Sequence, residues 1–331
     1  MTAALSLTDL TVQFVVDGVP VPAVENVSLD VGPGEIVGLV GESGCGKSTL
    51  ANAVMGLLPG SAQVSGSVLL DGRELVGLAD TELRTLRGNT VSMVFQDPST
   101  SLDPIWPVGD QVAETIRAHR DVSRKQARTE TLRLMTEVGI PAAAERYGDP
   151  PHRLSGGMRQ RIVIAAALAN SPQVLIADEP TTALDVTIQA QILGLIGRLR
   201  ERRGTAVLLI THDLGVVAQV CDRVGVMYAG QLVELGRAEE LFDHPRHPYT
   251  RALLGALPSA TATGGRLADI PGQVPDLADR DAGCRFASRC PLRTDLCDQA
   301  PELLGSPTSA VACWHAPATT APPNTTTAAD R

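Results

Sequence analysis

Lysine is nearly absent from this chain of 331 residues: Lys47 and Lys125 stand against 26 arginines. Aromatic residues are scarce at 3%, and acids exceed bases to leave a net charge of −9. An acidic surface argues against general nucleic-acid binding, which needs basic patches to neutralise phosphates, although one pocket can still be locally positive. No apolar run approaches the roughly 20 residues that span a bilayer. The densest runs, Ile162–Ala169 and Ala206–Ile210, suit a buried helix or strand. The opening MTAALSLTDLTVQF has no basic stretch ahead of an apolar one, so no secretory signal is expected and the chain should not cross a membrane by itself. What is present is 44% apolar and 20% charged, enough for a sizeable core and too apolar for a chain disordered throughout. The length suggests one main domain with an appendage.

The six cysteines are placed unevenly. Cys45 and Cys221 are isolated, whereas Cys284, Cys290, Cys297 and Cys313 fall within thirty residues near the C-terminus. Without an export signal, a metal site is favoured over disulfides.

Alternation predicts antiparallel strands over Leu10–Val16 and Val19–Val24, turning at Asp17-Gly18. Glu35–Val40 reads as an apolar strand entering a glycine-rich loop, followed by a helix over about Lys47–Leu57. Another strand over Ser92–Phe95 leads to Gln96. From about Pro98 to Asn170 the pattern is helical, with Leu132, Met135 and Val138 at helix spacing. Val174–Ala177 is a buried strand, and Val186–Arg203 an amphipathic helix with Ile188, Ile192, Leu195, Ile196 and Leu199 on one face. Ala206–Ile210 is the next strand, then a short helix and a hairpin around Ala229-Gly230. Strands alternating with helices indicate an α/β fold with a largely parallel sheet. After Pro258 the sequence becomes loop-rich and ends in APATTAPPNTTTAADR, which reads as a disordered tail.

Gly41-Glu-Ser-Gly-Cys-Gly-Lys47-Ser48 follows a strand and precedes a helix, the setting of a Walker A loop. Glycines let the backbone curl so that successive N–H groups face one concavity and hold phosphate oxygens, and the next helix adds its positive end. Gly41, Ser43, Gly44, Cys45, Gly46, Lys47, Ser48 and Thr49 are therefore the expected ATP-binding residues. Lys47 would reach the β- and γ-phosphates and Ser48 would ligate Mg²⁺. Val174-Leu-Ile-Ala-Asp178-Glu179 is an apolar strand ending in two acids. Asp178 would hold Mg²⁺ through water, and Glu179 would act as general base on the attacking water.

Leu154-Ser155-Gly156-Gly157-Met-Arg-Gln-Arg161, about twenty residues before Asp178, resembles the signature motif of ABC-type ATPases. Other motifs of that family follow in order: Gln96 matches the Q-loop, Thr182-Ala-Leu-Asp185 the D-loop, and His212 the switch histidine. The resemblance implies a RecA-like α/β core with an antiparallel β subdomain and a helical subdomain. It further implies that two such subunits pack head to tail, so that Ser155, Gly156, Gly157 and Gln160 contact ATP held by the partner. Gln96 would sense Mg²⁺ and the γ-phosphate, His212 would contact the γ-phosphate, and Asp185 would couple the two sites. Glu179, His212 and Gln96 are thus the catalytic candidates. The signature departs from LSGGQ at Met158, with Gln160 two residues on. The family stacks adenine on an aromatic upstream of the Walker A loop; only Phe14 stands there, and its place in a strand favours a core role over stacking.

Met93-Val-Phe-Gln-Asp-Pro-Ser-Thr-Ser-Leu-Asp-Pro104, His247-Pro-Tyr-Thr-Arg-Ala-Leu-Leu254 and Gly283-Cys-Arg-Phe-Ala-Ser-Arg-Cys-Pro291 are similar to the ATP-binding subunits of bacterial oligopeptide/dipeptide importers. With the ATPase motifs, the likeness covers about residue 5 to His315. It implies an ATP hydrolase at the cytoplasmic face of the bacterial membrane, peripheral to two permease subunits and served by an extracytoplasmic solute-binding protein. A related second ATPase subunit as heterodimer partner, and no nucleic acid, complete the implied assembly. Nickel importers share much of the pattern, and non-transport ABC ATPases are the remaining alternative. Ile105 and Trp106, beside the Q-loop, would belong either to the permease contact or to the subdomain core. Four thiolates spaced Cys-x5-Cys-x6-Cys-x15-Cys suit [4Fe–4S] or Zn²⁺, and the resemblance favours the iron–sulfur cluster in a structural role. The expected organisation is an ATPase domain over 1–236 with its helical subdomain at about 98–160, a helical connector over 237–258, a cysteine module over 259–315 and a tail over 316–331.

Overall fold

The computed structural model describes residues 3–16, 18–181, 185–256, 270–275 and 282–317, with the side chains of Ser99 and Leu199 also left aside. Asp17 of the first turn, Thr182 to Leu184 of the D-loop motif, part of the C-terminal module and residues 318–331 of the tail therefore lie outside the described residues.

Two sheets organise the chain. The first is antiparallel in the order β2-β1-β4-β5, made of β1 (Leu5–Val16), β2 (Val19–Val31), β4 (Ala62–Leu70) and β5 (Arg73–Glu74). Val27, Leu29 and Val31 alternate into its core, as a strand covered on one face requires. Both β1 and β2 run longer than their alternation predicts, β1 starting at Leu5 and β2 ending at Val31.

The second sheet has the order β11-β12-β10-β9-β3-β8-β7-β6. Its centre is parallel: β3 (Ile36–Val40), β6 (Val91–Val94), β7 (Val174–Asp178), β8 (Ala206–Ile210) and β9 (Arg223–Tyr228). Every residue of these five strands is buried, which is why they are mostly apolar, broken by Ser92, Asp178 and Arg223. Helix α1 (Lys47–Met55) follows β3, and α2 (Asp80–Leu86) precedes β6. Helices α3 (Pro98–Ser101), α4 (Val108–His119), α5 (Arg124–Glu137), α6 (Ala143–Arg146) and α7 (Gly156–Ala167) lie between β6 and β7. Val112, Ile116, Leu134, Met135 and Ile162 join these helices in one core, with Val138 buried and Leu132 half-buried as the spacing predicts. Helix α8 (Val186–Arg203) presents Ile192, Leu195 and Ile196 to the same core, with Ile188 half-buried. Arg203 ties α8 to Glu137 of α5 at 3.0 Å.

The C-terminal region is loop-rich after Gly255 among the described residues, apart from short helical turns and one small hairpin. Helix α9 (Leu214–Val220) leads to β9, and β10 (Gln231–Arg237) returns from it as the expected hairpin. Helices α10 (Ala238–Asp243) and α11 (Pro248–Gly255) follow. Strands β11 (Leu304–Ser306) and β12 (Ser309–Val311) then extend the main sheet, because β12 pairs antiparallel with β10 from Glu234↔Val311 to Gly236↔Ser309. The hairpin within the cysteine module thereby continues the ATPase sheet. An edge strand offers unpaired backbone groups, and a short hairpin is enough to satisfy them.

His247 locks this region together. The backbone N–H groups of Arg246 and His247 donate to the buried Glu234 carboxylate at 2.8 and 2.9 Å. Tyr249 N–H donates to His247 Nδ1 at 3.0 Å, so the ring proton resides on Nε2, where it serves the Ala312 carbonyl. Burial pushes this imidazole down to about 4. The folded value lies below the unfolded one, so the ring's contribution is intact above about pH 6.5 and is lost as pH falls through about 4. Between about pH 7 and about pH 5 the parent should lose about 2 kcal/mol from this group. Urea titrations should show that component missing in His247→Gln; equal losses in both proteins would show that the ring is not held neutral.

Candidate functional site

Strand register brings the predicted site residues to one edge. Val94 pairs with Ala177, and Ile210 pairs with Asp178 on one side and Leu39 on the other. The residues just beyond those pairs are Gln96, Glu179, His212 and Gly41, so four loops leave the sheet at the same level. Ligands of open α/β sheets bind at this carboxyl edge.

Two positions of the loop from Gly41 to Ser48 have no room for any residue but glycine. A Cβ on Gly41, whose φ is 153°, would lie 2.2 Å from the Met227 carbonyl. One on Gly46, at φ 103°, would lie 2.7 Å from the Ala23 carbonyl. Gly46 is also the N-terminal cap of α1, so the helix starts directly at Lys47 and its free N–H groups face the concavity. Lys47 is buried, its Nζ donating to the carbonyls of Gly41 at 2.8 Å and Glu42 at 3.0 Å and reaching Cys45 Sγ at 3.4 Å. Cys45 is fully buried, and that burial raises its thiol pKa. Ser43, Gly44 and Ser48 are exposed on the loop, and Thr49 is half-buried.

Ser48 Oγ donates to Asp178 Oδ1 at 3.2 Å. Asp178 is buried, and desolvation raises its pKa, with Glu179 adding to the rise and Ser48 and Lys47 opposing it. A strand sends successive side chains to opposite faces. Glu179, held in the left-handed region at φ 46°, turns its carboxylate away from Ser48 to accept from Gln96 Nε2 at 2.9 Å. His212 Nδ1 lies 3.1 Å from the other oxygen of that carboxylate. A carboxylate only accepts, so Nδ1 carries the hydrogen there. Positive φ at a non-glycine residue stores strain that the surrounding structure must hold, and such residues cluster at functional sites. Gln96, Glu179 and His212 are thus one hydrogen-bonded group, and Ser48 with Asp178 a second beside it.

The signature residues lie elsewhere on the surface. Ser155 caps α7 by accepting from Met158 N–H at 3.3 Å. Asp185 caps α8 by accepting from Ile188 N–H at 2.9 Å. Ser155, Gly156, Gly157 and Asp185 line a cavity of about 430 Å³ with Met158 and Arg161. Gln160 does not join them: it sits one turn deeper on α7, buried, and is not among the cavity's lining residues. Phe14 is half-buried against the core of the first sheet, whereas Ile105 and Trp106 are exposed and so are not subdomain core.

The four cysteines share one neighbourhood without forming a ligand shell. Cys284, Cys290 and Cys313 each accept an N–H two residues on, from Phe286, Leu292 and His315, the last two at 3.4 Å. Cys284 N–H donates to the Cys297 carbonyl at 2.9 Å. Burial pushes the Cys284 thiol up to about 11, and the other three thiols add to the rise. Among the described residues no group of three or more His, Cys, Asp or Glu side chains is arranged to hold a metal ion, so the expected four-thiolate site is not assembled here. Three of the four sulfurs accept an N–H from their own turn.

Two further residues lay outside the reach of motif reading. Arg289 donates to both carboxylate oxygens of Glu42, at 2.8 and 3.1 Å, and Glu42 N–H donates to the Tyr249 hydroxyl at 2.8 Å. Nothing in the spacing of Glu42 and Arg289, 247 residues apart, signals that pairing.

A family model described as ABC transporter matches residues 24–182, and one described as oligopeptide/dipeptide transporter, C-terminal region, matches residues 233–297. The chain is 50% identical over 318 residues to the dipeptide transport ATP-binding protein of Bacillus subtilis, covering 95% of each. It is 48% identical over 296 residues to the dipeptide transport ATP-binding protein of Escherichia coli, covering 89% of this chain and 90% of that one. It is 46% identical over 301 residues to the Escherichia coli oligopeptide transport ATP-binding protein, covering 91% and 89%. A solved dimeric ATP-binding cassette in a post-hydrolysis state, bound to ADP and Pi, superposes with a TM-score of 0.65 at 29% identity, over 71% of this chain and 98% of that one. This chain belongs to the ABC transporter ATP-binding subunits, in the oligopeptide/dipeptide branch of that family.

Proposed function

We propose that this chain binds and hydrolyses ATP to power uptake of di- and oligopeptides through partner permease subunits. The observation that carries the reading is the Gln96–Glu179–His212 group hydrogen-bonded at the sheet edge, beside Ser48 and Asp178. A binding module would have no use for a strained glutamate oriented from both sides.

In this reading the amides of residues 41–48 and the N-terminus of α1 hold the phosphates, and Lys47 moves from its loop carbonyls to the β- and γ-oxygens. Ser48, Asp178 and Gln96 would hold Mg²⁺. Glu179 takes a proton from water as the water oxygen attacks the γ-phosphorus. The bond to the bridging oxygen breaks, and its electrons leave with ADP. His212 gives its Nδ1 hydrogen to Glu179, and its contact with a γ-phosphate oxygen, which only accepts, would need a second hydrogen on Nε2. Lys47, Mg²⁺ and the loop amides carry the charge that builds in the transition state.

The Ser155–Gly157 cavity faces outward and suits the γ-phosphate of ATP held by a partner ATPase subunit, with Asp185 at its rim linking the two sites. ATP closes such a pair because γ-phosphate contacts exist only in the closed state, and hydrolysis reopens it. Exposed Ile105 and Trp106, beside Gln96, offer the apolar contact for a permease. Among the described residues no helix is long and apolar enough to cross a membrane, which suits a peripheral subunit on the cytoplasmic face. A related ATPase subunit as partner, two permease subunits and an extracytoplasmic binding protein complete this reading.

The cysteine module is read as a structural [4Fe–4S] site, with Zn²⁺ as its alternative. What supports it is donor chemistry, not an assembled ligand shell: the N–H groups two residues after Cys284, Cys290 and Cys313 would stabilise thiolates, and a cation would relieve the mutual repulsion of four thiolates. When bound, the group would cross-link the turns of the module and do no chemistry on ATP.

Glu179→Gln should retain ATP binding and cut turnover by about 100-fold or more in a phosphate-release assay; unchanged turnover would remove Glu179 as the base. Lys47→Ala should abolish nucleotide binding or hydrolysis in the same assay, and near-parent values for both would discard the phosphate-loop assignment. Anaerobically purified complex should contain about four irons and matching sulfide per chain, a content that Cys290→Ser should lower. Identical metal content in parent and variant would show that Cys290 is not a ligand.

A further inference from the structure

The strongest unassigned feature is the attachment of the C-terminal module to the phosphate loop. Arg289, one residue before Cys290, is buried, with its side chain only 4% exposed. Its Nε donates to the Pro271 carbonyl at 2.9 Å, and Nη1 donates to Glu42 Oε2 at 2.8 Å and the Tyr228 hydroxyl at 3.3 Å. Its Nη2 donates to Glu42 Oε1 at 3.1 Å and the Ile270 carbonyl at 3.3 Å. Five acceptors thus face the five hydrogens of one guanidinium, which fixes its plane.

The aromatic rings behind it leave little room to shift. Tyr228 and Tyr249 pack with ring centres 4.6 Å apart, and Phe286 closes on both at 5.2 and 5.4 Å. Tyr249 takes the backbone N–H of Glu42, so residues from beyond the ATPase motifs hold both the main chain and the side chain of this loop residue. The Glu42 carbonyl in turn accepts from Lys47 Nζ. The line of contacts therefore runs from Arg289 through Glu42 to the lysine that meets the phosphates.

Charge gives the arrangement a purpose. Glu42 places a carboxylate inside a loop whose task is to gather phosphate oxygens, and an unpaired acid there would repel the triphosphate. We propose that Arg289 is a positioning residue for nucleotide binding: it neutralises Glu42 and sets the first turn of the phosphate loop, so that the C-terminal module tunes ATP affinity. The inference rests on the ATP-binding reading of the site. It makes the module part of the nucleotide site rather than only an attachment to it.

The test is the dissociation constant of Mg²⁺ with a non-hydrolysable ATP analogue, titrated into the full chain, with thermal unfolding of each variant recorded alongside. Arg289→Ala leaves the Glu42 carboxylate unpaired and should weaken binding by about tenfold. Arg289→Lys keeps the charge but not the fork, and should weaken it by about threefold. Removing the acid as well, in the double variant Arg289→Ala with Glu42→Gln, should bring affinity back to within about threefold of the parent. A general loss of folding would not be reversed by a second substitution, so this recovery separates positioning from bulk stability. Affinity within twofold of the parent in Arg289→Ala, or no recovery in the double variant, would overturn the proposal. Should Arg289→Ala not fold, Arg289→Lys alone decides, and parent-like affinity there overturns it. A parent chain that binds no analogue would instead sink the ATP-binding reading itself.

Discussion

Parallel pairing of β6, β7, β8 and β3 sets the height at which four loops leave the sheet, and the nucleotide chemistry depends on that shared height. Each strand is short and buried, so its register is dictated by side chains that cannot slip by one residue without turning outward. Because Asp178 is level with Ile210 and Ala177 with Val94, the next residues converge without any long side chain having to search. Gln96 and His212 then need only one hydrogen bond each to orient Glu179 from both sides. With left-handed backbone at Glu179, the two adjacent carboxylates part, Asp178 to Ser48 and Glu179 to Gln96 and His212.

The far edge of the same sheet has a different task. Hairpin β11–β12 continues it through β10, and the buried Glu234 and His247 fasten α11 to that continuation. A neutral histidine suits this position because it can accept with one nitrogen and donate with the other while adding no charge to a dry interior. The Tyr228–Tyr249–Phe286 cluster fills the space between this edge and the phosphate loop. In a chain with so few aromatics, their concentration here makes the module and the loop one packed unit.

Cys284 and Cys290 pack against that unit, and Cys297 is buried. Three of the four thiols already receive an N–H from their own turn, and burial keeps Cys284 well above neutral as a free thiol. For a buried thiol of this kind, losing the proton and binding a cation go together.

The sequence by itself determined the phosphate loop, the acid pair Asp178-Glu179, the order of the remaining motifs and the α/β class. These rest on local patterns: an apolar run before a glycine loop, or a strand ending in acids. Helix α8 and strand β8 fell where their periodicity put them, since each carries a strong local signal. Tertiary structure alone decided that Gln160 lies in the core while its neighbours Ser155 to Gly157 line a cavity, because one helical turn changes which neighbours cover a side chain. It alone decided that Leu304 to Val311 extend the ATPase sheet, since three-residue strands carry too little alternation to announce themselves. And it alone paired Glu42 with Arg289, because an ion pair between distant residues is set by the packing that brings them together, and no local spacing encodes it.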